Sequence, residues 1–346
     1  MRVKGTIIAL LILALVLAAT DAVASGRNRS GTAGAQELLI PVGARGISLG
    51  GTYVGGFSGI EAIYYNPAGL SRMSNSAQAM FSHSTYIADI GIEYGAVAAK
   101  FAGFGSIALT LKSLSFGDIP VTTELAPDGT GATYSPVFTT LGLTYSRELT
   151  DRISVGATVN WIHEGIMSTN ANGVALNAGV QYNGVGGVPG LKLGVVLKNL
   201  GFDMRFDGPD LYRQGTTQDA LRGSQLVKIE AATFQLPSLL EVGMSYDYSP
   251  AEEHRLTFAG MYQNNNFSDD EYRLGAEYSY NNLLFLRASY ALTQAGSTTD
   301  YQYLYGPSFG AGLHYKAGGV DLTVDYAYQA LKYFAANQVI TLIVGF

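Results

Sequence analysis

An all-β fold is predicted: a transmembrane antiparallel β-barrel of about 14 strands with an N-terminal hatch, or plug, in its lumen. Three observations predict it. Segments of period-two alternation recur along the chain, each near the roughly 9 to 11 residues with which a tilted strand crosses a bilayer. Tight and long connections fall on opposite parities, as in barrels with short turns at one rim and loops at the other. The final strand alternates through Ile340, Leu342, Val344 and Phe346 up to the carboxylate. Outer-membrane proteins characteristically end on such an aromatic residue, which the barrel assembly machinery reads.

Composition agrees. Forty-three glycines, 23 tyrosines and 15 phenylalanines stand beside 14% charged residues, too apolar and aromatic for a disordered chain. The net charge of -6 and the lack of lysine and arginine runs leave no footprint for a phosphate backbone, so nucleic acid is not an expected partner. The chain has no cysteine, which removes disulfides, thiolate metal sites, a cysteine nucleophile and the lipidated cysteine of a bacterial lipoprotein.

Residues 1–24 read as a signal peptide: Arg2 and Lys4 precede an apolar run over 7–19, and Ala22-Val23-Ala24 is the small-x-small pattern of a cleavage site. An apolar run of about 13 residues is too short to span as a helix, which needs roughly 20. Beyond it no uninterrupted apolar run reaches spanning length, so insertion must use strands. Outer-membrane lipid of a Gram-negative (diderm) bacterium is the expected surrounding.

Residues 25–73 are assigned to the hatch. The segment is too glycine-rich for a stable helix and has no sustained alternation. It carries apolar Leu38, Leu39, Ile40, Val42, Ile47 and Leu49 between Gly43, Gly46, Gly50, Gly51, Gly55 and Gly56. Such a mixture suits irregular backbone enclosed by protein, the only place it is tolerated at membrane depth.

Residues 74–346 are assigned to the barrel, with strands at 77–87, 93–101, 104–116, 136–148, 152–166, 174–183, 191–202, 237–248, 254–263, 271–281, 284–293, 307–316, 319–329 and 337–346. Val320, Leu322, Val324, Tyr326 and Tyr328 alternate with Asp321, Thr323, Asp325, Ala327 and Gln329, giving one greasy and one wet face. The tight connections lie near Gly103, Thr150-Asp151, Asn281-Asn282 and Gly318-Gly319; 117–135 and 203–236 are long and polar. Tyr248, Tyr262, Tyr280, Tyr315 and Tyr328 are candidates for aromatic girdles at the two interfaces. A three-residue loop at 281–283 sets Glu277 opposite Arg287 inside the barrel, and similar counting sets Lys316 opposite Asp321.

Gly34-Ala35-Gln36, Val42-Gly43-Ala44-Arg45, Leu49-Gly50-Gly51 and then Tyr64-Tyr65-Asn66-Pro67-Ala68-Gly69-Leu70 resemble the opening of the FadL/TodX superfamily, most closely its PorV/PorQ branch. The resemblance covers residues 31–72; beyond them it is architectural. It implies a 14-stranded barrel with an N-terminal hatch built on Gly43, Arg45, Gly46, Gly50, Gly51 and the Asn66, Pro67, Ala68, Gly69 turn. FadL relatives pass hydrophobic molecules, such as fatty acids or hydrocarbons, past the hatch and sideways through the wall. PorV relatives serve type IX secretion and receive cargo proteins. The first role is the one expected here, because it requires only this chain; the second, and a purely structural barrel, are the alternatives.

A hydrophobic-molecule channel needs an apolar external pocket. The 203–236 segment offers Phe206, Tyr212 and Phe234, with Leu211, Leu221 and Leu226, interleaved with Arg205, Arg213 and Arg222 for a carboxylate head. No enzyme and no cofactor are expected. Gly46-Ile47-Ser48-Leu49-Gly50 matches a nucleophile elbow in letters, but Ser48 lies among turn glycines rather than between a strand and a helix. His83, His163, His254 and His314 are scattered and form no metal motif. The topology is testable: cysteines placed at Asp128 and Gln218 should react with an impermeant thiol reagent on intact cells. Protection of both until the outer membrane is broken would reverse the assignment of the long loops to the exterior.

Overall fold

The computed structural model describes Arg29 and residues 31–216, 223–293 and 303–346; the expected signal peptide, and Gln218, Leu221 and Arg222, lie outside the described residues. Fourteen strands close into one antiparallel barrel. They are β1 (Ala77–Thr85), β2 (Gly91–Phe101), β3 (Gly105–Ser115), β4 (Val137–Glu148), β5 (Ile153–Ile166), β6 (Thr169–Asn183) and β7 (Leu191–Gly201). After the longest loop follow β8 (Leu239–Ala251), β9 (His254–Asn265), β10 (Glu271–Tyr280), β11 (Leu284–Thr293), β12 (Tyr305–Ala317), β13 (Val320–Leu331) and β14 (Asn337–Gly345). Each strand pairs with its neighbours in sequence, and β1 meets β14 from Gln78↔Gly345 to Thr85↔Gln338.

Most strand ends fall within two residues of the expected spans, and two depart further, each for a local reason. β6 begins at Thr169, not 174, because Asn170 and Asn172 face outward above the apolar belt while Ala171 and Gly173 face in. There the polarity of the two faces is inverted, so the alternation used to find strands fails. β8 runs on to Ala251 through a register shift between Tyr248 and Ala251, a bulge that alternation cannot foresee. Consequently the β5–β6 connection, Met167-Ser168, is tight although it lies at the long-loop rim.

The wall is apolar outside and polar inside. Leu109, Leu111, Leu141, Leu143, Val159 and Leu286 are exposed on the outer face, whereas Ser82, Thr144, Thr158, Asn177, Gln181 and Thr341 are buried facing the lumen. Tyr248, Tyr280 and Tyr315 stand outward near the short-turn rim, and Tyr262 and Tyr328 toward the long-loop rim. At the hairpin joining β10 and β11, Asn281 and Asn282 both adopt positive φ of 52°. This is the conformation a tight β-hairpin requires and asparagine tolerates.

Residues 33–73 run down the lumen from the long-loop rim to the short-turn rim. Gly34 N–H donates to the Gln235 carbonyl of the long loop, and Arg72 donates to Ser154 Oγ and the Arg152 carbonyl at the opposite rim. Between them short helical turns, Gln36–Leu39, Ala44–Ser48, Ala62–Tyr65 and Pro67–Arg72, satisfy only part of the backbone. The wall satisfies more of it: Gln181 donates to the Val54 and Phe57 carbonyls, Thr341 accepts from Ala44 N–H, and Gln78 accepts from Ile60 N–H. Phe57, Tyr65, Leu49 and Tyr53 form an apolar knot in the middle, with Phe57 and Tyr65 stacked at 4.6 Å.

Close approach of hatch to wall is made possible by inward glycines. A Cβ at Gly156 would lie 2.4 Å from the Pro67 backbone, at Gly179 2.0 Å from Asn66 Oδ1, and at Gly194 2.5 Å from the Val54 backbone. Gly156 pairs with Gly179, and Gly194 with Gly243, across the ladder. Much of the glycine content therefore forms a smooth seat for irregular backbone. Gly179→Val should lower the stability of the refolded barrel by about 1–3 kcal/mol, the cost of overpacking a filled core. Gly95→Val, which faces outward into open space, should not. Equal urea midpoints for the two variants would remove the glycine seat from the account.

Candidate functional site

The hatch is bound to the wall by a ladder of buried charges. Arg45, in the turn Ala44–Ser48, donates through Nε and Nη2 to both Glu277 oxygens at 3.0 Å and through Nη1 to Glu61 at 3.1 Å. Arg287 on β11 donates to the same Glu277 at 2.6 Å and to Asp325 on β13 at 2.5 Å. Glu277↔Arg287 is a directly opposed pair in the β10–β11 register. Two guanidinium forks thus bridge three carboxylates, Glu61–Arg45–Glu277–Arg287–Asp325, with the Arg287 and Asp325 side chains 2% and 1% exposed. Gly312 leaves the space this needs, since a Cβ there would lie 2.0 Å from Asp325 Oδ1.

Lys316 and Asp321 are opposed in register and 3.2 Å apart, but they do not form a pair within the lumen. They lie beside the Gly318-Gly319 turn, the Lys316 side chain is 64% exposed, and Asp321 also accepts from Asn75. Parity fixes the face a residue takes; height along the strand decides whether that face is lumen or rim.

The Asn66–Gly69 turn is the second fixed point. Asn66 Nδ2 donates to the Val54 and Val180 carbonyls and its Oδ1 accepts from Ala68 N–H, so one buried side chain closes the hatch turn and joins it to β6. Pro67 stands at the first position of the following 3-10 turn, where its fixed φ suits and its missing N–H is not needed. Gly69 touches the Phe57 carbonyl and Gly46 the Tyr65 ring so closely that neither admits a Cβ. Gly43, Gly50 and Gly51 hold positive φ of 82°, 61° and 71°. Ser48 Oγ donates to the Arg45 carbonyl and packs against Gly310. The four histidines sit apart on the wall, with partners Glu93, Asn172, Tyr278 and Asp321 respectively.

Above the hatch, at the long-loop end, is a cavity of about 760 Å³. Leu38, Leu39 and Tyr64 of the hatch form its floor, and Leu114, Phe116, Phe138, Ile166 and Leu239 form apolar parts of its wall. Phe206 and Phe234 of the long loop close over it, their rings 5.8 Å apart, and pack on Leu38, Ile162 and Met204. Polar side chains reach it at Glu37, Glu164, Lys198, Glu241, Glu271 and Arg273.

Arg205 and Arg213, the described loop arginines, do not serve this cavity. Arg205 pairs with Glu230 on the outer surface, Arg213 donates to the Asp210 and Tyr212 carbonyls, and Tyr212 lies in a small hairpin, Tyr212–Gly215 with Gln225–Lys228, outside the lining. In the same loop Lys228, 2.6 Å from Asp207, holds that carboxyl below its usual range by hydrogen bonding. Among the described residues of the predicted loop set, only Phe206 and Phe234 line the cavity, because the described loop charges in contact with water are satisfied locally. The inward-facing charges on the strands carried a signal in parity alone: Lys198 follows Val196 and Gly194 on the wet face of β7, as Arg273 precedes Gly275 and Glu277 on β10.

No protein-family model and no curated protein matches the sequence. Solved structures do match in fold. The Pseudomonas putida toluene transporter TodX superposes with a TM-score of 0.53 at 14% identity, covering 86% of this chain and 96% of that one. A Pseudomonas aeruginosa FadL homologue gives 0.51 at 14%, covering 88% and 98%, and the CymD monoaromatic hydrocarbon channel 0.50 at 13%, covering 88% and 97%. TodX is a toluene transporter and CymD a monoaromatic hydrocarbon channel, and this chain shares the barrel fold of these FadL/TodX-type structures.

The charge ladder yields a prediction. Arg45→Leu leaves Glu61 without its partner and Glu277 with one guanidinium, and should destabilise the folded protein by about 3–5 kcal/mol, the cost of orphaning a buried charge. Single-channel conductance in a planar bilayer should rise for this variant, and more for deletion of residues 31–70. Unchanged conductance in both, with folded barrels, would mean that the hatch does not obstruct the lumen.

Proposed function

We propose, taking the FadL/TodX fold as premise, that this protein is an outer-membrane channel that passes hydrophobic small molecules through a plugged barrel. The carrying observation is the cavity: an apolar chamber capped by Phe206 and Phe234 on the long-loop side and floored by the hatch. Its size and mixed lining are those of a small-molecule pocket. The lumen beneath is filled by hatch residues, so a straight aqueous path does not serve the passage of an apolar solute.

A sideways path finds support at one place in the wall. The β11–β12 ladder runs from Leu284↔Leu313 to Ser289↔Ser308, although β11 continues to Thr293 and β12 starts at Tyr305. Ser289, Ala291, Tyr305, Gly306 and Ser308, which border this unpaired stretch, all line the cavity. Pro307 lacks the N–H to extend the pairing, and the register of β12 against β13 shifts between Tyr305 and Ser308. By contrast the ladders of β1 with β2, β2 with β3 and β3 with β4 are continuous. An apolar solute leaving the chamber here would enter the bilayer without crossing the charge ladder.

The test is uptake by cells that carry or lack the protein, using labelled toluene and longer alkanes. Loss of uptake on deletion, and on an Ala291→Trp substitution that fills the cavity beside the unpaired stretch, is the expected result. Normal uptake across the panel, together with loss of surface display of secreted proteins, would replace this reading with the secretion role.

A further inference from the structure

The cavity is divided by polarity. Leu114, Phe116, Phe138 and Ile166 face it from the β3–β5 side, whereas Gln263, Glu271, Arg273, Ser289, Ser308 and Gln329 face it from β9 to β13. Its charges are already matched. Lys198 lies 2.8 Å from Glu241. Arg273 donates to Glu271 at 2.9 Å, and Tyr303 donates to the same carboxylate at 2.7 Å. Glu37 of the hatch and Glu164 of β5 hydrogen-bond to each other and share a proton, and the Glu37 oxygens are closed off from the cavity. A carboxylate or ammonium head would therefore lose its hydration and find no free counter-charge among the described residues.

Most of the neutral polar groups are engaged as well. The Tyr86 and Tyr305 hydroxyls bond to one another at 2.7 Å, Gln263 donates to Asn265, and Gln329 accepts from Asn337. Two hydroxyls are left over. Ser289 on β11 and Ser308 on β12 are directly opposed, form the last pair of their ladder below the unpaired stretch, and line the cavity. They are 9% and 3% exposed, and among the described residues neither side chain hydrogen-bonds to another group. The hatch keeps Ser289 uncovered: Gly50 holds a positive φ of 61°, and a Cβ there would lie 2.9 Å from Ser289 Oγ. A serine hydroxyl both donates and accepts, so the pair offers a neutral polar head a partner of either kind. A hydrocarbon displacing water from the same place would leave both hydroxyls unsatisfied.

We propose that the cavity selects apolar molecules carrying one neutral hydroxyl, alcohols and phenols, with the hydroxyl at Ser289 and Ser308 and the body against Leu114, Phe138, Phe206 and Phe234. This rests on the reading of the cavity as a small-molecule chamber and narrows its ligands: hydroxylated compounds above hydrocarbons of the same shape, and charged acids and amines last. Because the serine pair stands at the foot of the unpaired β11–β12 stretch, the head is held at the threshold of the sideways path while the body lies against the opposite wall.

The experiment titrates the purified full-length barrel at neutral pH with phenylbutanol, pentylbenzene, phenylbutyrate and phenylbutylamine, corrected for uptake by protein-free detergent micelles. The compounds share one body and end in a hydroxyl, a methyl, a carboxylate and an ammonium. Phenylbutanol should bind about tenfold more tightly than pentylbenzene, an order that a wholly apolar cavity would reverse. Ser289→Ala and Ser308→Ala should each weaken alcohol binding about fivefold, as the loss of one hydrogen bond does. Together they should remove the alcohol's advantage and leave pentylbenzene binding unchanged, in samples whose heat-modifiable migration shows a folded barrel. Pentylbenzene binding as tightly as the alcohol, an alcohol preference that survives the double substitution, or tightest binding by a charged compound would overturn the hydroxyl site and leave the chamber standing. Failure of all four compounds to bind would overturn the chamber itself.

Discussion

Hydrocarbon offers no hydrogen bonds, and this constraint decides the rest of the molecule. Each strand amide in the belt has to be met by a neighbouring strand, so the sheet must close, and closure at the β1–β14 seam fixes which residues face in. Apolar side chains then have to stand outside and polar ones inside, the reverse of a soluble core. A hatch of irregular backbone placed in such a lumen meets donors and acceptors rather than grease. Gln181, Gln78, Thr341, Ser146 and Lys112 are wall side chains that answer it, and Ser146 does so twice, donating to the Ala68 carbonyl and accepting from Ser71 N–H.

That same logic explains how much was legible in the sequence. Alternation with period two reports the two faces directly, so strands in the apolar belt could be read, as could the opposed pair Glu277 and Arg287, whose relation follows from one turn length. Where a strand rises above the belt the report fails, as at Asn170 and Asn172, because polar residues on both sides of the wall then meet water or loop. Partners separated by hundreds of positions gave no sign. Nothing near Arg45 announces Glu277, and nothing near Glu37 announces Glu164; both relations arise from the path the hatch takes through the lumen. Charge near aromatic residues, as at Arg205 and Arg213, looks like a binding site, yet these exposed charges satisfy themselves locally with Glu230 and backbone carbonyls.

Two sets of buried charges tie the hatch to the wall in one lumen. In the ladder from Glu61 to Asp325 each guanidinium bridges two carboxylates, which gives the hatch one defined position on β10, β11 and β13. At the cavity Glu37 of the hatch meets Glu164 of β5, and the Lys112 ammonium donates to the hatch backbone beside them. Low dielectric raises the stakes in both places, since a complete network rigidifies and an unpaired group is costly.

The course of the hatch also dictates an order of assembly. Its upper end is joined to the long loop at Gln235, its lower end to the turn between β4 and β5, and Phe346 at the end of the last strand hydrogen-bonds back to Ser76 and Ala77. A segment that runs from rim to rim and fits against glycines without clearance could enter a finished barrel only by being threaded through it. The wall must instead be wrapped around the hatch, with the seam between the first and last strands zipped at the end. The hatch then acts as a mandrel during manufacture, and mistakes in its seating would be sealed inside.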